Sequence, residues 1–372
     1  MFRILIDARW IRTGKRGIGN FTDALIDNLS FIKNENTEIT IAVPRNTAKV
    51  LQDRFKDSFR YLLLPSIPDP FLDIFYFSFI QFIYNFNVVH FTGNSGLILF
   101  KRRGKVVLTL HDVSFMKHKS IMPWPQRFKQ KIGRIYRRYL VPIYVKNANK
   151  IVTVSKFAST DIMSEFSFIN DIEYLYHGIN IIPLNNVASF IDLNKLIKNS
   201  YLVIAGNDPQ KNLVSVILVF SLLYDNHGNS APSVSIIGLN LNDFKKYNKR
   251  LNITPNIQFI GYLEQSQVQY AIQLCKCVII PSYYESFGLP LIEALCRGKY
   301  VICSNRGALP EIGLDAPIYF NPNDKKSLFD AVNYFESSDF RSQPLNIWLK
   351  NSSFRFSWKK TSSRYFQIYH EL

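Results

Sequence analysis

Short apolar runs alternate with longer amphipathic stretches along most of this chain. In the first half, five apolar runs predict strands: Phe2–Ile6, Ile39–Val43, Val88–Phe91, Val106–Leu110 and Ile151–Val154. In the second half, five more do so: Tyr201–Ala205, Val234–Ile237, Ile257–Ile260, Val278–Ile280 and Val301–Cys303. Helical spacing predicts the helices between them: Phe21–Leu29, Gln126–Tyr144, Leu213–Tyr224, Ser266–Cys275, Leu289–Arg297 and Lys325–Phe335, with one more capped by Ser155. This alternation is typical of parallel sheets covered by helices on both faces.

The length of the chain fits two such α/β blocks. It has 372 residues, which at roughly 150 residues per domain is enough for two cores. We therefore predict two doubly wound, Rossmann-like α/β domains, residues 1–185 and residues 186–355, joined near residues 181–199.

One segment raises the question of a membrane span. Phe71–Phe91 is long enough to cross a bilayer and contains a single charged residue, Asp73. Four polar residues dilute it: Gln81, Asn85, Asn87 and His90. Its end, Val88–Phe91, has the pattern of a buried strand. We therefore predict a helix followed by a strand rather than a transmembrane helix.

The charge is strongly positive and unevenly distributed. The formal net charge is +17, and residues 1–190 carry 26 Lys/Arg against 14 Asp/Glu. No acidic residue occurs between Val113 and Thr160. Such a face suits nucleic acid, anionic lipid or phosphorylated substrates, or it is simply a solvated helix face. The four cysteines lack zinc-type spacing, and the apolar run at the start is too short for a signal peptide, so we expect a cytoplasmic protein with reduced thiols.

Loops that follow parallel strands are where ligands bind, so they are the place to look for chemistry. Five of these loops are polar and most contain glycine. They are Asp7–Gly19, His111–Asp112, Gly206–Asn212, Pro281–Gly288 and Ser304–Gly307.

The loop before the predicted helix at Leu289 is the most informative. Pro290 fits the first turn of a helix, and Gly298 fits its C-terminal cap. Glu285 then precedes the helix and Glu293 lies about one turn inside it. The helix N-terminus between these two residues would bind a phosphate. The two flanking carboxylates would accept hydrogen bonds from sugar hydroxyls, so the arrangement suits a nucleotide-sugar. The alternative is two surface glutamates around an ordinary loop.

The segment Glu285-Ser-Phe-Gly-Leu-Pro-Leu-Ile-Glu293 resembles the E-x7-E signature of retaining GT-B glycosyltransferases of family 4, also called group 1. Other segments resemble that family in the same order along nearly the whole chain: Arg3–Asn20, Leu108–Phe115, Ile151–Phe157, Tyr176–Asn180, Ile257–Tyr262, Ser304–Ile312 and Phe356–Leu372. The resemblance implies the GT-B fold, two Rossmann-like domains facing across a cleft. It also implies that residues 356–372 form a helix that returns to the N-terminal domain, which would be the acceptor side.

The resemblance also implies roles for individual residues of the second domain. Glu285 would lie against the donor sugar, Glu293 would bind the ribose, and Lys211 would face the donor diphosphate. Gly288 and Leu289 would contribute the start of the helix to the phosphate site. The family usually has Arg-Lys-Asn where this chain has Gln210-Lys211-Asn212, so one cation is replaced here. Arg306 is a candidate substitute.

In the first domain, the resemblance places His111 beside the transferred sugar, although a lone histidine after a strand is more often structural. Gly17 and Gly19 match the glycine loop that reaches the donor phosphates. The predicted catalytic residues are therefore His111, Lys211 and Glu285. The predicted donor-binding residues are Gly17, Gly19, Lys211, Gly288, Leu289 and Glu293.

The implied reaction is retaining transfer of a hexose from a nucleotide-diphosphate sugar to a growing, lipid-linked O-antigen or other surface glycan. Mannose is favoured, and rhamnose or another sugar is possible. No Asp-x-Asp sequence occurs, so we expect no metal and no cofactor besides the sugar nucleotide. We expect a peripheral protein on the anionic inner face of the plasma membrane. The alternatives, a nucleic-acid-binding protein or a nicotinamide-dependent oxidoreductase, lack a recognition motif and a convincing G-x-G-x-x-G, respectively.

Overall fold

The structure, a computed structural model, describes the chain apart from residues 12–16, 33, 100–103, 120, 126, 180–192, 194–195, 207 and 338–342. The side chains of residues 57, 343, 344, 353 and 354 are also not described. The chain divides into two compact units. The first comprises Met1–Met116, Gly133–Gly178 and Phe356–Leu372, and the second comprises Lys117–Ile132 and Ile179–Arg355. Most of the predicted junction at 181–199 lies outside the described residues.

The first unit is built on a seven-stranded parallel sheet. Its strands are β1 (Phe2–Asp7), β2 (Thr37–Pro44), β3 (Arg60–Leu64), β4 (Val88–Phe91), β5 (Lys105–Thr109), β6 (Lys150–Thr153) and β7 (Glu173–Tyr174). They are ordered β3-β2-β1-β4-β5-β6-β7. The five strands predicted from the sequence are present, and the two edge strands β3 and β7 are additional.

Helices cover both faces of this sheet. They are Ile18–Ile32, Arg45–Phe55, Asp69–Phe71 with Phe77–Tyr84, Phe128–Asn147, Lys156–Glu165 and Trp358–Glu371. One buried apolar cluster centres on Phe21 and Leu25, and a second on Phe77 and Phe91, which gives the unit a core on each side of the sheet. Ser155 caps the helix Lys156–Glu165 by accepting a hydrogen bond from the Ala158 amide, as predicted.

Phe71–Phe91 forms a helix followed by a strand, and this prediction is confirmed. A π-helical turn, Leu72–Tyr76, links Asp69–Phe71 to Phe77–Tyr84, and β4 follows. Among the residues that the structure describes, no helix combines the length and hydropathy that crossing a membrane requires.

A buried ionic cluster fixes this π-helical turn. The Arg9 guanidinium lies 2.8 Å from an oxygen of Asp7 and 2.8 Å from an oxygen of Asp73. The Tyr136 hydroxyl donates to the other Asp73 oxygen at 2.9 Å. Burial raises the pKa of Asp73, and the neighbouring Arg9 charge opposes that rise. The cluster therefore joins the end of β1 to two helices that are distant in sequence.

The basic segment between Val113 and Thr160 is not a uniformly solvated face. Arg134 is buried, and its Nε donates to the carbonyl of Phe115 at 3.2 Å. Arg138 donates to the same carbonyl at 2.7 Å and to the carbonyl of Met116 at 2.9 Å. Both guanidiniums therefore stabilise the turn after β5 by donating to its carbonyls.

The last helix, Trp358–Glu371, completes the first unit. It packs against the helix Ile18–Ile32, with Tyr365 and Tyr369 wholly buried. The Tyr369 hydroxyl is 2.7 Å from Nδ1 of His90, and the Tyr365 hydroxyl is 2.9 Å from that of Thr109. Burial lowers the pKa of His90 to about 3, so this histidine is neutral. The helix is thus bonded directly to β4 and β5.

The second unit contains a six-stranded parallel sheet. Its strands are β8 (Tyr201–Ile204), β9 (Val234–Ile237), β10 (Ile257–Gly261), β11 (Cys277–Ile280), β12 (Tyr300–Ser304) and β13 (Ile318–Phe320), ordered β10-β9-β8-β11-β12-β13. Its helices are Leu213–His227, Leu241–Lys245, Gln265–Leu274, Leu289–Cys296, Leu309–Gly313, Lys325–Glu336 and Gln343–Arg355. Five strands were predicted, and β13 at the edge was not. Both units therefore have the predicted doubly wound architecture.

Candidate functional site

The strand order of the second sheet reverses between β8 and β11. These strands are neighbours, but β8 continues on its other side to β9 while β11 continues to β12. Loops at such a reversal diverge and leave room for a ligand at the carboxyl ends of the strands. The loop after β8 carries Lys211, and the loop after β11 carries Glu285.

These two side chains meet. Lys211 Nζ donates to Glu285 Oε1 at 2.6 Å, and the Ser282 hydroxyl donates to the same oxygen at 2.7 Å. Glu285 and Ser282 are buried, whereas Lys211 is half-buried. Among the described residues no donor contacts Oε2 of Glu285, so the second oxygen of a fixed carboxylate is available to a ligand hydroxyl. Sequence reasoning did not identify Ser282.

Gln210, which stands where the family usually has arginine, links the two loops. Its Nε2 donates to the carbonyl of Tyr284 at 2.6 Å. The amide of Tyr283 donates back to the carbonyl of Gln210 at 2.9 Å. The side chain at this position therefore holds the glutamate loop in place instead of supplying a second cation beside Lys211.

A third loop, after β12, supports the backbone of Glu285. The Ala308 amide donates to the Glu285 carbonyl at 2.8 Å, and Ser304 Oγ donates to the Ser282 carbonyl at 2.6 Å. Gly307 has φ +64°, and a Cβ there would overlap the Glu285 backbone. Arg306, the candidate substitute for the missing arginine, has an Nη2 that donates to Asn321 Oδ1 at 3.4 Å.

The helix Leu289–Cys296 begins directly after the glutamate loop. Gly288 is its N-cap with φ +88°, and a Cβ there would press on the side chain of Leu309. Pro290 lies in the first turn and Gly298 follows the end with φ +67°, as the sequence predicted. The helix N-terminus, where Leu289 lies, contributes a partial positive charge near Glu285 and Lys211.

Glu293 lies in the second turn of this helix and is half-buried. Gln265 Nε2 donates to its Oε1 at 3.0 Å. Burial raises the pKa of Glu293 to about 7, although Gln265 and the Arg297 charge both oppose the rise. This carboxyl group therefore titrates near neutral pH. Gln265 is a second residue that the sequence motifs did not identify.

In the first unit, His111 follows β5 and is buried. Its Nε2 donates to the Thr92 carbonyl at 2.8 Å, and its backbone amide donates to Asn94 Oδ1 at 2.7 Å. The ring packs edge-on against Phe21. Burial lowers the pKa of His111, against the opposing effect of the Thr92 bond. A neutral ring with a proton on Nε2 leaves the Nδ1 lone pair as an acceptor.

The two glycines predicted in the loop after β1 have different positions. Gly17 is exposed with φ +42° and precedes the helix Ile18–Ile32. Gly19 is buried in the first turn of that helix, which begins at Ile18 instead of the predicted Phe21, so Gly19 lies at the helix N-terminus and not in the loop. Gly14, Lys15 and Arg16 lie outside the described residues.

The predicted site residues thus form two groups. The second unit brings Lys211 and Glu285 into contact and places Gly288, Leu289 and Glu293 on the adjoining helix. The first unit carries His111 and Gly17. Within the described part of the chain, no three His, Cys, Asp or Glu side chains are grouped so as to hold a metal ion.

Two family models match the chain. The model described as "Glycosyl transferases group 1" matches residues 189–350, and the model described as "Glycosyltransferase Family 4" matches residues 17–181. The first contains the Lys211, Glu285 and Glu293 group, and the second contains His111 and both glycines.

Among curated proteins, the chain is similar to the O-antigen chain mannosyltransferase B of Escherichia coli. The two are 26% identical over 231 residues, which cover 60% of this chain and 59% of the relative. The matched region is therefore less than two thirds of that relative's length.

Among solved structures, sucrose-phosphate synthase from Thermosynechococcus elongatus superimposes with a TM-score of 0.73 at 14% identity, over 100% of this chain and 99% of that one. HepE from Anabaena, solved in complex with UDP, superimposes with a TM-score of 0.69 at 15% identity over the whole of both chains. These neighbours show that the fold is GT-B.

Proposed function

Because the chain belongs to the group 1 glycosyltransferases of family 4, we propose that it moves a hexose from a nucleotide-diphosphate sugar to a surface glycan with retention of configuration. The observation that carries this proposal is the contact of Lys211 and Ser282 with one oxygen of Glu285 at the point where the second sheet reverses its strand order. That arrangement provides a cation for a departing diphosphate beside a carboxylate for sugar hydroxyls.

The reaction breaks the bond between the sugar C1 and the diphosphate oxygen, and the bonding electrons leave with the diphosphate. The acceptor oxygen forms the new bond to C1 on the same face, and the acceptor hydroxyl passes its proton to the departing diphosphate oxygen. Positive charge develops on the sugar ring while negative charge grows on the leaving group. The largest contribution that the protein can make is to stabilise that negative charge with groups already in place.

In the proposed mechanism, Lys211 and the helix start at Gly288 and Leu289 stabilise the diphosphate. The charge of Lys211 and the partial positive charge of the helix N-terminus would take the place of a metal ion. Glu293 accepts hydrogen bonds from the ribose hydroxyls, and Oε2 of Glu285 accepts one from the sugar. Because Ser282 and Lys211 hold Oε1, the carboxylate is oriented before the donor arrives.

The first unit contributes His111 and Gly17. In the proposed mechanism the neutral His111 ring accepts a hydrogen bond from a hydroxyl of the transferred sugar at Nδ1, and its Nε2 is fixed by the Thr92 carbonyl. Gly17, with no side chain and positive φ, leaves its backbone open to a donor phosphate.

We propose that the sugar is mannose and that the acceptor is a lipid-linked O-antigen or a related surface glycan, which would place the enzyme peripherally on the inner face of the plasma membrane. The name of the Escherichia coli relative supports mannose and the O-antigen. The UDP complex of the Anabaena neighbour supports a nucleotide-sugar donor.

The test is a donor screen. GDP-mannose, dTDP-rhamnose, UDP-glucose and UDP-galactose would each be incubated with the protein and mannose-terminated acceptors, and the released nucleoside diphosphate would be measured. We expect GDP-mannose to give the fastest acceptor-dependent release and an α-linked product by NMR. A β-linked product from this α-linked donor would contradict retention. No acceptor-dependent release from any sugar nucleotide would contradict the transferase assignment.

A further inference from the structure

Two neighbouring helices of the first unit expose large apolar side chains in stripes. On the segment Asp69–Tyr84, Phe71, Phe75 and Phe79 recur every four residues and are between 55% and 59% exposed. On the helix Phe128–Asn147, Ile135, Tyr139 and Ile143 recur every four residues and are between 45% and 74% exposed. Residues four apart share one face of a helix, so each set forms one outward stripe.

The two helices are joined through Asp73 and a shared core. The Tyr136 hydroxyl on the second helix donates to Asp73 Oδ2 on the first at 2.9 Å, and the Tyr144 hydroxyl also reaches that oxygen, at 3.4 Å. Phe77 on the first helix and Val141 on the second are buried in the same core cluster. The exposed stripes therefore lie on different faces of these helices from the residues that pack in the core. The six exposed residues are called the aromatic surface below: Phe71, Phe75, Phe79, Ile135, Tyr139 and Ile143.

A surface of this kind indicates a partner, because large apolar patches on soluble proteins commonly mark protein or membrane interaction sites. The charge nearby shows what kind of partner. Between the start of the first segment and Ile143 the sequence has three acidic residues: Asp69, which is half-buried, and Asp73 and Asp112. Asp73 is buried against Arg9, and Asp112 accepts hydrogen bonds from the amide and hydroxyl of Ser114. Neither carboxylate gives the aromatic surface an exposed negative charge.

Positive charge, by contrast, is abundant. The chain carries +17, and Lys146 is exposed three residues after Ile143 on the same helix. A second copy of the chain would bring the same positive charge to the interface and would be repelled. An anionic bilayer attracts that charge and also offers an apolar phase for phenylalanine and isoleucine side chains. Tyr139 fits the boundary, since its ring is apolar and its hydroxyl can remain in water.

We propose that the aromatic surface docks the first unit on an anionic lipid bilayer, with both helices lying in the plane of the interface. The apolar side chains enter the boundary between head groups and acyl chains, and nearby lysine and arginine side chains contact lipid phosphates. The inference deepens the proposed function, on which it rests only for the presence of a lipid-linked acceptor.

The experiment is flotation of the full chain with vesicles of phosphatidylcholine alone or mixed with phosphatidylglycerol. The test variant replaces Phe75 and Phe79 by serine. The control variant, Phe31→Ser, makes the same change at a phenylalanine that is 84% exposed on the helix Ile18–Ile32. We expect the wild type and the control to float with the anionic vesicles and the double variant to bind them at least about tenfold more weakly. A second variant, Ile135→Ser with Tyr139→Ser, should behave like the first.

Circular dichroism and thermal melting must show that each variant is folded, and transfer to a short water-soluble acceptor should be unchanged. If the wild type does not bind anionic vesicles at low salt, the inference is overturned. It is also overturned if both double variants bind as the wild type does. A third contrary outcome is that sedimentation shows the wild type to be a dimer and both double variants to be monomers. Vesicle binding without any glycosyl transfer would instead contradict the proposed function and leave this inference standing.

Discussion

The ammonium group of Lys211 lies 2.6 Å from Oε1 of Glu285, and both belong to loops at the carboxyl ends of adjacent strands, β8 and β11. Each charge is therefore compensated by the other. In the proposed mechanism a donor diphosphate that approaches Lys211 would compete with the carboxylate for the same ammonium, which would couple donor binding to the orientation of Glu285.

Lys211→Ala should lower turnover by about two orders of magnitude, the scale for the loss of one group that stabilises developing charge. Gln210 cannot replace it, since its amide is bonded to Tyr284. Turnover at saturating donor is the measurement. The matched control is Lys276→Ala, which removes an equally short ion pair, 2.6 Å to Glu336, elsewhere in the second unit. Equal turnover in both variants would show that Lys211 has no special role.

Ser282→Ala should lower kcat by about tenfold while the affinity for the nucleoside diphosphate stays the same, because the hydroxyl orients Glu285 and touches no nucleotide in the proposed arrangement. Steady-state kinetics and calorimetry measure the two quantities. Ser282→Thr, which keeps the hydroxyl, should restore most of the activity. If threonine fails where the fold is intact, orientation by the hydroxyl is not the explanation.

A binding experiment should distinguish the roles of the two glutamates. Glu293→Gln should weaken the binding of the free nucleoside diphosphate, since a carboxylate accepts stronger hydrogen bonds from ribose hydroxyls than an amide does. Glu285→Gln should bind the nucleotide nearly as well as the wild type and transfer sugar much more slowly. If isothermal titration calorimetry gives the reverse pattern, the roles assigned to Glu285 and Glu293 must be exchanged.

The stability of the protein should depend on pH through Glu293. Its pKa is about 7 in the folded chain, against an ordinary value of 4.5. Between these values the folded state retains a proton that the unfolded state has released, so the contribution of Glu293 to stability falls as pH rises. Relative to the wild type, the free energy of unfolding of Glu293→Gln should therefore increase as the pH rises from 5 to 8. Urea unfolding measures this difference. The exposed Glu35→Gln is the control and should show no such trend.

Activity should persist in excess chelator, since a lysine and a helix N-terminus are available to the diphosphate and the chain has no Asp-x-Asp sequence. Release of nucleoside diphosphate would be followed with and without EDTA. Loss of activity that Mg²⁺ or Mn²⁺ restores would mean that a metal ion bridges the diphosphate.

The sequence predicted the central strands of both sheets well, because a buried parallel strand is a continuous apolar run, as in Val88–Phe91. It missed β3, β7 and β13, each of which lies at a sheet edge. Glu173–Tyr174 has only two residues, and Ile318–Phe320 has three, so neither carries enough pattern to be recognised. Whether such short segments become strands depends on a neighbour that local sequence does not specify.

Long-range polar contacts were also missed. Arg9 and Asp73 are 64 positions apart, and nothing in the local pattern of either predicts that they share a buried site. Arg134 and Arg138 were expected on an exposed basic face, either solvated or facing an anionic partner, but they donate hydrogen bonds to carbonyls of the turn after β5. In the candidate site, the family resemblance pointed to Lys211, Glu285 and Glu293. It did not identify Ser282 or Gln265, because their roles depend on loop geometry.

The position of the helix Trp358–Glu371 has a consequence for synthesis on the ribosome. The core of the first unit includes Tyr365, Ile368 and Tyr369, which are translated after the whole of the second unit. Domains commonly fold in the order in which they emerge. Here the second unit can complete its core while the first still lacks a helix, so the earliest residues of the chain must wait longest for their native partners. During that interval the apolar face of Ile18–Ile32 is uncovered, and a stop codon after Arg355 would make this exposure permanent.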